Sequence, residues 1–188
     1  MYFIMLLLMV FSCVSPNSIE RQDTSPWADW ECGYDIGEHP CNFSLFDQHD
    51  QSVDLYDFYG KTILLDFSTT WCYYCNIAAM SEPELNKQYE DQGFIWLTVL
   101  VQDKNGKKPS CEVLKQWAGK YNISSPVLSG DMDLLDLEDD GINTGFKCGG
   151  YPTFLIIDKD MIIKSYIFGW SFEMINEAIT QELNKENS

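Results

Sequence analysis

The stretch 64–75, LLDFSTTWCYYC, decides the fold of this chain. It begins with a short apolar run that contains a single acid, Asp66, and this pattern predicts a buried β-strand. Residues 68–70 leave the strand. Residues 74–79 contain no glycine or proline, so they can form a helix. Cys72 therefore falls where a buried strand passes into a helix.

The spacing of Cys72 and Cys75 is typical of a redox-active cysteine pair. At a helix N-terminus, free N–H groups and the positive end of the helix dipole stabilise a thiolate. Two cysteines on the first turn can also close a disulfide. We expect Cys72 to be the exposed attacking thiol and Cys75, one turn deeper, to be the resolving thiol. Exchange then proceeds by thiolate attack through a mixed disulfide.

A second motif, GGYPT at 149–153, precedes another apolar strand. Together the two motifs resemble those of thioredoxin-fold proteins, and most closely those of the secreted TlpA-like and ResA-like thiol–disulfide oxidoreductases. WCYYC is similar to their W-C-x-x-C motif, and YPT at 151–153 is similar to the cis-proline loop that lies against their active disulfide. Asp66 matches the buried acid of thioredoxin. The resemblance extends from about residue 43 to the C-terminus.

The chain departs from the family pattern at two places in this motif. Tyr73 and Tyr74 stand where thioredoxin has Gly-Pro. Met80 stands where the family has a proline that kinks the helix, and Pro83 lies further along. Redox chemistry is compatible with these differences, which bear on the reduction potential and on the substrate.

The resemblance implies a role for each residue of the site. Cys72 attacks and Cys75 resolves, while Pro152 in cis brings neighbouring backbone against the sulfurs. Asp66, buried beneath the pair, has a pKa raised by desolvation and accepts the proton of Cys75. The alternative for Asp66 is a strand acid with a structural hydrogen bond. The residues expected to line the site are Trp71, Tyr73, Tyr74, Tyr151 and Thr153. The redox-active disulfide needs no other cofactor.

The order of the predicted elements indicates an α/β, thioredoxin-like fold. A central mixed β-sheet is flanked by helices, with an amino-terminal β-hairpin extension that also resembles the hairpin of TlpA-like proteins and peroxiredoxins. The predicted elements are a hairpin at 43–47 and 52–55, a strand at 63–67, a helix from 73 to about 91, a strand at 94–101, a helix at 112–121, a strand at 126–128, a hairpin at 154–158 and 161–168, and a helix from 171 to about 184.

The amino terminus predicts export. Residues 1–10, MYFIMLLLMV, are too short to span a bilayer and are typical of the apolar part of a signal peptide. VFSC at 10–13 resembles a bacterial lipobox, which makes Cys13 the lipidated first residue of a lipoprotein. Phe11 is larger than the usual spacer, and no Lys or Arg precedes the apolar run. The alternative is a plain leader cleaved nearby.

We therefore divide the chain into a leader at 1–13, a polar tether at 14–30 and one thioredoxin-like domain at 31–188. The expected location is the periplasmic or cell-surface side of a bacterial membrane. A lipid anchor would hold the domain there without any spanning helix.

The seven cysteines of the chain also predict structural bridges, because disulfides persist in an oxidising compartment. Cys32 and Cys41, nine residues apart, are expected to staple a loop that contains Gly33, Gly37 and Pro40, and the alternative is that either cysteine pairs elsewhere. A second bridge is expected between Cys111 and Cys148. The alternative is that one of these last two is a third redox cysteine.

Composition excludes several classes of function. A net charge of −17 leaves no basic patch for nucleic acid, and the acidity is typical of a solvated surface. A zinc site is disfavoured because the chain lacks a second C-x-x-C and suitable histidines, since His39 and His49 lie in polar loops. The acidic run 131–140 is predicted to be an amphipathic helix, and calcium binding is the alternative, although its spacing does not match an EF-hand.

The leading hypothesis is a thiol–disulfide oxidoreductase that exchanges disulfides with dithiol or disulfide partner proteins outside the cytoplasm. The resemblance implies reduction of partners or cytochrome maturation, with electrons from a membrane donor. One alternative is a thiol peroxidase, in which Ser68 or Thr69 supplies the hydroxyl, although Leu65 occupies the position of the peroxidase proline. The other is an anchored, non-catalytic binding module with a static Cys72–Cys75 bridge.

Overall fold

The computed structural model describes residues 25–137 and 144–186. The chain divides into two units at Trp30 and Glu31. In the described part of the first unit, the rings of Trp27 and Trp30 contact each other with centroids 6.4 Å apart. The predicted leader, its lipidation site Cys13 and the tether up to residue 24 lie outside the described residues, as do residues 138–143 of the acidic run.

A five-stranded mixed sheet forms the centre of the second unit. Its strands are β5 (Thr62–Thr69), β6 (Phe94–Gln102), β7 (Val127–Ser129), β10 (Thr153–Ile157) and β11 (Ile163–Phe168). They lie in the order β11-β10-β5-β6-β7. The strands β5, β6 and β7 are parallel, and β10 is antiparallel to both β5 and β11. The predicted mixed sheet is confirmed.

Three helices flank this sheet: α1 (Tyr73–Tyr89), α2 (Cys111–Tyr121) and α3 (Phe172–Glu186). Helix α1 passes through Pro83 without a break, and a 3-10 turn at Glu90–Gln92 follows it. Helix α2 starts where predicted, because the Ser110 side chain accepts the Val113 N–H. Helices α1 and α3 share one apolar cluster over β5 and β10, which includes Leu64, Leu85, Phe154 and Ile179.

The amino-terminal hairpin extension is present and lies at the β7 edge of the sheet. Strands β3 (Ser44–Phe46) and β4 (Ser52–Asp54) pair antiparallel, and a 3-10 turn at Leu55–Phe58 follows. Beside them the buried Gln48 side chain donates to the Ser125 carbonyl and accepts the Val127 N–H, at 3.0 and 2.8 Å. The hairpin therefore covers a strand edge that would otherwise be open.

The disulfide predicted between Cys32 and Cys41 is also present. It links two short parallel strands, β1 (Cys32–Gly33) and β2 (His39–Pro40). The intervening loop binds the opposite edge of the sheet, since the Gly37 N–H donates to the Ile163 carbonyl and the Ile163 N–H donates to the Glu38 carbonyl. His39 is half-buried rather than a surface residue, and its Nδ1 lies 2.8 Å from the Met161 carbonyl oxygen.

The acidic run differs from its prediction. Its described part forms a 3-10 turn at Met132–Leu134 and a strand β8 (Leu135–Asp136), which pairs with β9 (Phe146–Lys147). The spacing of the leucines fits a helix, but pairing with β9 and burial of Leu135 favour the strand. The predicted amphipathic helix is therefore wrong over the residues that can be described.

The predicted bridge between Cys111 and Cys148 is wrong, because both are free thiols. Cys111 begins α2, which packs against β7, and its Sγ lies 3.6 Å from the Gln48 carbonyl oxygen. Cys148 lies just before β10. Since β5 and β6 separate β7 from β10 in the sheet, the two cysteines belong to different regions of the domain. No helix within 25–137 or 144–186 is long and apolar enough to cross a membrane.

Candidate active site

Cys72 and Cys75 form a disulfide at the N-terminus of α1, with their Cα atoms 5.2 Å apart. Cys72 is the N-cap residue, and its Sγ accepts the Cys75 N–H at 3.1 Å. Cys72 is 7% exposed, whereas Cys75 is completely buried. Of the two cysteines, only Cys72 therefore has any solvent-exposed surface through which a thiolate could approach the disulfide. The strand-to-helix junction expected from the sequence is confirmed.

The loop before β10 lies directly against this disulfide. The Tyr151–Pro152 peptide bond is cis. The Tyr151 carbonyl oxygen lies 3.4 Å from the Sγ of Cys72, and the Pro152 carbonyl accepts the Gly169 N–H at 2.8 Å. The loop is thus held between the disulfide and the end of β11, and its backbone borders the accessible sulfur.

Thr153 and Cys148 support the loop from inside. Thr153 is completely buried, and its hydroxyl donates a 2.6 Å hydrogen bond to the Gly150 carbonyl. The same hydroxyl lies 3.7 Å from the Sγ of Cys148. Burial, together with the Cys148 thiol, raises the pKa of Tyr151 to about 12. Thr153 therefore fixes the shape of the loop and does not face the surface beside Cys72.

Aromatic side chains surround the accessible sulfur. The exposed ring of Trp71 meets Tyr151 edge to face, with centroids 5.9 Å apart. Tyr73 and Tyr74 are exposed and also meet edge to face, at 5.4 Å. Phe168, which the sequence did not single out, is also exposed, and its ring lies against Gly149 of the loop. We call these five side chains the aromatic rim.

Asn76 ties the cysteine turn to α2 and was missed by the sequence analysis. Its Nδ2 donates to the carbonyl oxygens of Cys72 and Thr70, at 2.6 and 3.3 Å. Its Oδ1 accepts from the Tyr121 hydroxyl and, at 3.0 Å, from Lys120 Nζ. A polar residue one position after a cysteine pair could have signalled this role, but its partners on α2 could not be read from the sequence.

Asp66 lies in the middle of β5 and is buried. Desolvation raises its pKa to about 7, and the negative charge of Glu82 acts in the same direction. Hydrogen bonds from Ser68, at 2.6 Å, and from Thr98 oppose this increase. The Trp96 N–H also favours the charged form, although it falls outside normal hydrogen-bond geometry. Asp66 can therefore take up or release a proton near neutral pH.

Within the described ranges, no group of three or more His, Cys, Asp or Glu side chains is placed to hold a metal ion. The fold brings the cis-proline loop against the cysteine pair, and the buried acid Asp66 lies in β5, the strand that leads to the pair.

A mixed sheet with a cysteine pair at the start of a helix and a cis-proline loop against it defines the thioredoxin-like class of oxidoreductases. The chain belongs to the AhpC/TSA family, which matches residues 36–166. It is 30% identical over 148 residues to the thiol-disulfide oxidoreductase ResA of Geobacillus thermodenitrificans, covering 79% of this chain and 76% of that protein. The family resemblance and the oxidoreductase class predicted from the sequence are confirmed.

Solved structures agree on the fold. A thiol:disulfide interchange protein of the thioredoxin family from Chlorobium tepidum gives a TM-score of 0.62 at 19% identity, over 81% of this chain and 98% of that one. The pneumococcal exposed lipoprotein thioredoxin of Streptococcus pneumoniae is 26% identical, with a TM-score of 0.53, over 77% of this chain and 99% of that one. The predicted thioredoxin-like fold is therefore confirmed.

Proposed function

We propose that this protein is a thiol–disulfide oxidoreductase that exchanges disulfides with partner proteins through Cys72 and Cys75. The observation that carries the proposal is the difference in exposure between the two cysteine residues of one helix-terminal disulfide. A partner thiolate attacks Cys72, and Cys75 leaves as the buried thiolate. In the reverse direction, Cys72 attacks a partner disulfide and Cys75 resolves the mixed disulfide.

Asp66 acts in this scheme as the acid and base for Cys75. Its pKa near 7 allows it to supply a proton when the Cys75 thiolate forms and to remove that proton when the disulfide closes. The aromatic rim provides the contact surface for the partner segment around its cysteine. Leu65 still occupies the position of the peroxidase proline, and Cys75 lies beside Cys72, which favours disulfide exchange over peroxide reduction.

A redox titration tests the proposal. The purified full chain is equilibrated in glutathione buffers, free thiols are trapped with a mass tag, and each cysteine is read by peptide mass. We expect one reversible two-electron transition confined to Cys72 and Cys75, because their disulfide can exchange through Cys72. Its midpoint identifies the direction of transfer.

Two results would contradict the proposal. A Cys72–Cys75 pair that stays oxidised in every buffer, in a folded protein, would leave the static binding module as the better account. Rapid reduction of peroxide by the dithiol form, without exchange with protein disulfides, would favour the thiol peroxidase. Cys32 and Cys41 serve as the internal reference, since we assign that disulfide a structural role.

We also propose that the protein is exported and held at a membrane by a lipid on Cys13. The apolar run at 1–10 and VFSC at 10–13 support this, as does the Cys32–Cys41 disulfide, because such bridges persist in oxidising compartments. The 26% identical pneumococcal relative is described as an exposed lipoprotein. Dithiol donors at the membrane face are then the expected partners.

A fatty-acid probe fed to bacteria that express the full chain tests this location. We expect labelling of the native protein and none of Cys13→Ser, because the lipid is attached at that sulfur. Cys111→Ser is the matched control and should label normally. Equal labelling of Cys13→Ser, or a mature N-terminus downstream of residue 13, would contradict the lipid anchor.

A further inference from the structure

Glu82 is a charged residue on the buried side of α1. It is 1% exposed and lies between Ala78, Ala79 and Leu85, which face the apolar clusters. Its Oε1 accepts a 2.6 Å hydrogen bond from the Ser125 hydroxyl. Its Oε2 is buried and has no hydrogen-bond partner among the described residues. Burying a carboxyl with only one of its two oxygens hydrogen-bonded destabilises the folded protein, so packing alone does not explain why a glutamate occupies this position.

Glu82 lies over the strands that carry Asp66. Asp66 of β5 pairs in register with Thr98 of β6, and the Thr98 side chain donates to it. The Thr98 N–H donates to the carbonyl of Pro126, the residue after Ser125. Helix α1 packs on β6, which brings Glu82 down to Ser125. Glu82, on α1, thus lies over β6 and is hydrogen-bonded to the segment before β7, and β6 is the strand whose Thr98 pairs with Asp66.

Beside Glu82 and Ser125 lies a surface groove of about 690 Å³. Pro83 and Ser124, the chain neighbours of Glu82 and Ser125, line it together with Gln48. The charged or titratable side chains on its border are His49, Lys87, Glu90 and Lys115. Glu82 therefore lies between the buried acid of the redox site and a polar opening to solvent.

The two carboxyls are electrically coupled. Burial raises the pKa of Glu82 to about 7, and the hydrogen bond from Ser125 opposes this. The charge of Glu82 raises the pKa of Asp66, whereas the groups that Asp66 meets from β6, Trp96 and Thr98, are neutral. From β10, Asp66 pairs with the apolar Phe154. Burial of each carboxyl is the largest cause of its raised pKa, so both can hold a proton into the neutral range.

We propose that Glu82 is a positioning residue of the redox site, which stores a proton for Asp66 and passes protons between Asp66 and the groove beside Ser125. The inference rests on the proposed disulfide exchange at Cys72 and Cys75. It adds a buried proton path that the cysteine pair alone does not provide.

A dithiol partner reduces the site in two exchange steps. The partner thiolate bonds to Cys72, the Cys72–Cys75 bond breaks, and the Cys75 thiolate takes a proton from Asp66. Glu82 reprotonates Asp66, and solvent reprotonates Glu82. The second partner thiolate then displaces Cys72, so the partner closes its own disulfide and two electrons have passed to the site. Of the two partner thiol protons, one goes to solvent and the other to Cys72.

Infrared pH titration of the full-length oxidised protein tests the inference, because the carbonyl band of a protonated buried carboxyl reports the pair directly. In Glu82→Gln we expect one carboxyl to be lost and the other to titrate at lower pH, since Asp66 no longer faces a negative charge. Exchange with a dithiol peptide at pH 8 should slow roughly five- to tenfold. Glu84→Gln, an exposed neighbour on α1, is the matched control and should change neither quantity.

Ser125→Ala provides the second variant. It removes the donor that stabilises ionised Glu82, so the last proton of the pair should leave at higher pH, opposite to the shift in Glu82→Gln. A purely structural Glu82 gives the same two shifts, because they follow from its charge and its hydrogen bond, but its replacement does not slow exchange. Shifted titrations with an unchanged exchange rate in Glu82→Gln would therefore overturn the relay. If both variants fold and titrate like the native protein, the relay is wrong while disulfide exchange stands. If the native protein itself shows no exchange at Cys72 and Cys75, the proposed function fails first.

Discussion

Replacing Cys75 with serine is expected to trap partner proteins as mixed disulfides on Cys72. Cys72 reaches the surface and remains able to attack, but the buried resolving thiol is gone, so the intermediate accumulates. Turnover of a protein disulfide should fall by at least roughly 10³-fold. Non-reducing electrophoresis followed by mass spectrometry identifies both the trapped partners and the cysteine that holds them.

Because Cys72 and Cys75 differ in exposure, their serine variants should behave differently. Cys72→Ser should lose turnover as completely but trap nothing, because Cys75 is inaccessible to a partner. Cys111→Ser removes a free, half-buried thiol at the start of α2 and should behave like the native protein. Equal trapping by both single serine variants would show that the assignment of attacking and resolving roles is wrong.

Replacing Asp66 with asparagine is expected to stabilise the folded protein at alkaline pH. The folded state raises the pKa of Asp66 from its ordinary 3.8 to about 7, so it disfavours the charged form. Such a group does not change the free energy of unfolding well below pH 4. As the pH rises from 4 to 7 it lowers the free energy of unfolding progressively, and above pH 7 this loss stays constant. Asparagine keeps the shape without the charge, so we expect a gain of about 2 to 4 kcal/mol at pH 8.

Urea denaturation at pH 4 and pH 8 measures this gain. At pH 4 the two proteins should differ little, since pH 4 lies close to the unfolded pKa of 3.8 and ionisation has only begun to favour the unfolded state. Asp103→Asn is the contrasting control: hydrogen bonds from its own loop lower the pKa of Asp103, so this change should bring no stabilisation. If Asp66→Asn were no more stable than the native protein at pH 8, the ionised Asp66 carboxyl would not destabilise the folded state.

Much of the fold could be predicted because its signals are local. The strand containing Asp66, the helix capped at Ser110 and the two hairpins each follow from apolar periodicity and flanking turn residues within a few positions. The cysteine pair fell at the predicted strand-to-helix junction for the same reason. The disulfide between Cys32 and Cys41 could be predicted because the two cysteines lie close in sequence.

The features that were missed depend on contacts between distant elements. Pairing Cys111 with Cys148 required knowing which strands separate them, and spacing does not contain that information. The acidic run has a helical pattern, but its described part becomes a strand because β9 pairs with it. Glu82 could have been noticed, since a glutamate among Ala78, Ala79 and Leu85 interrupts an apolar helix face. Its partner Ser125 lies 43 residues further along the chain, so this contact was not predictable.

The aromatic rim has a consequence for encounters between two copies of this protein. The segments 67–81, 148–157 and 165–172, which surround the disulfide, contain no charged residue, while the chain as a whole carries −17. Two copies repel each other over about one Debye length, roughly 8 Å at physiological salt. The rim itself holds no cations that would offset this repulsion. We therefore expect this repulsion to slow exchange between the disulfide form of one copy and the dithiol form of another.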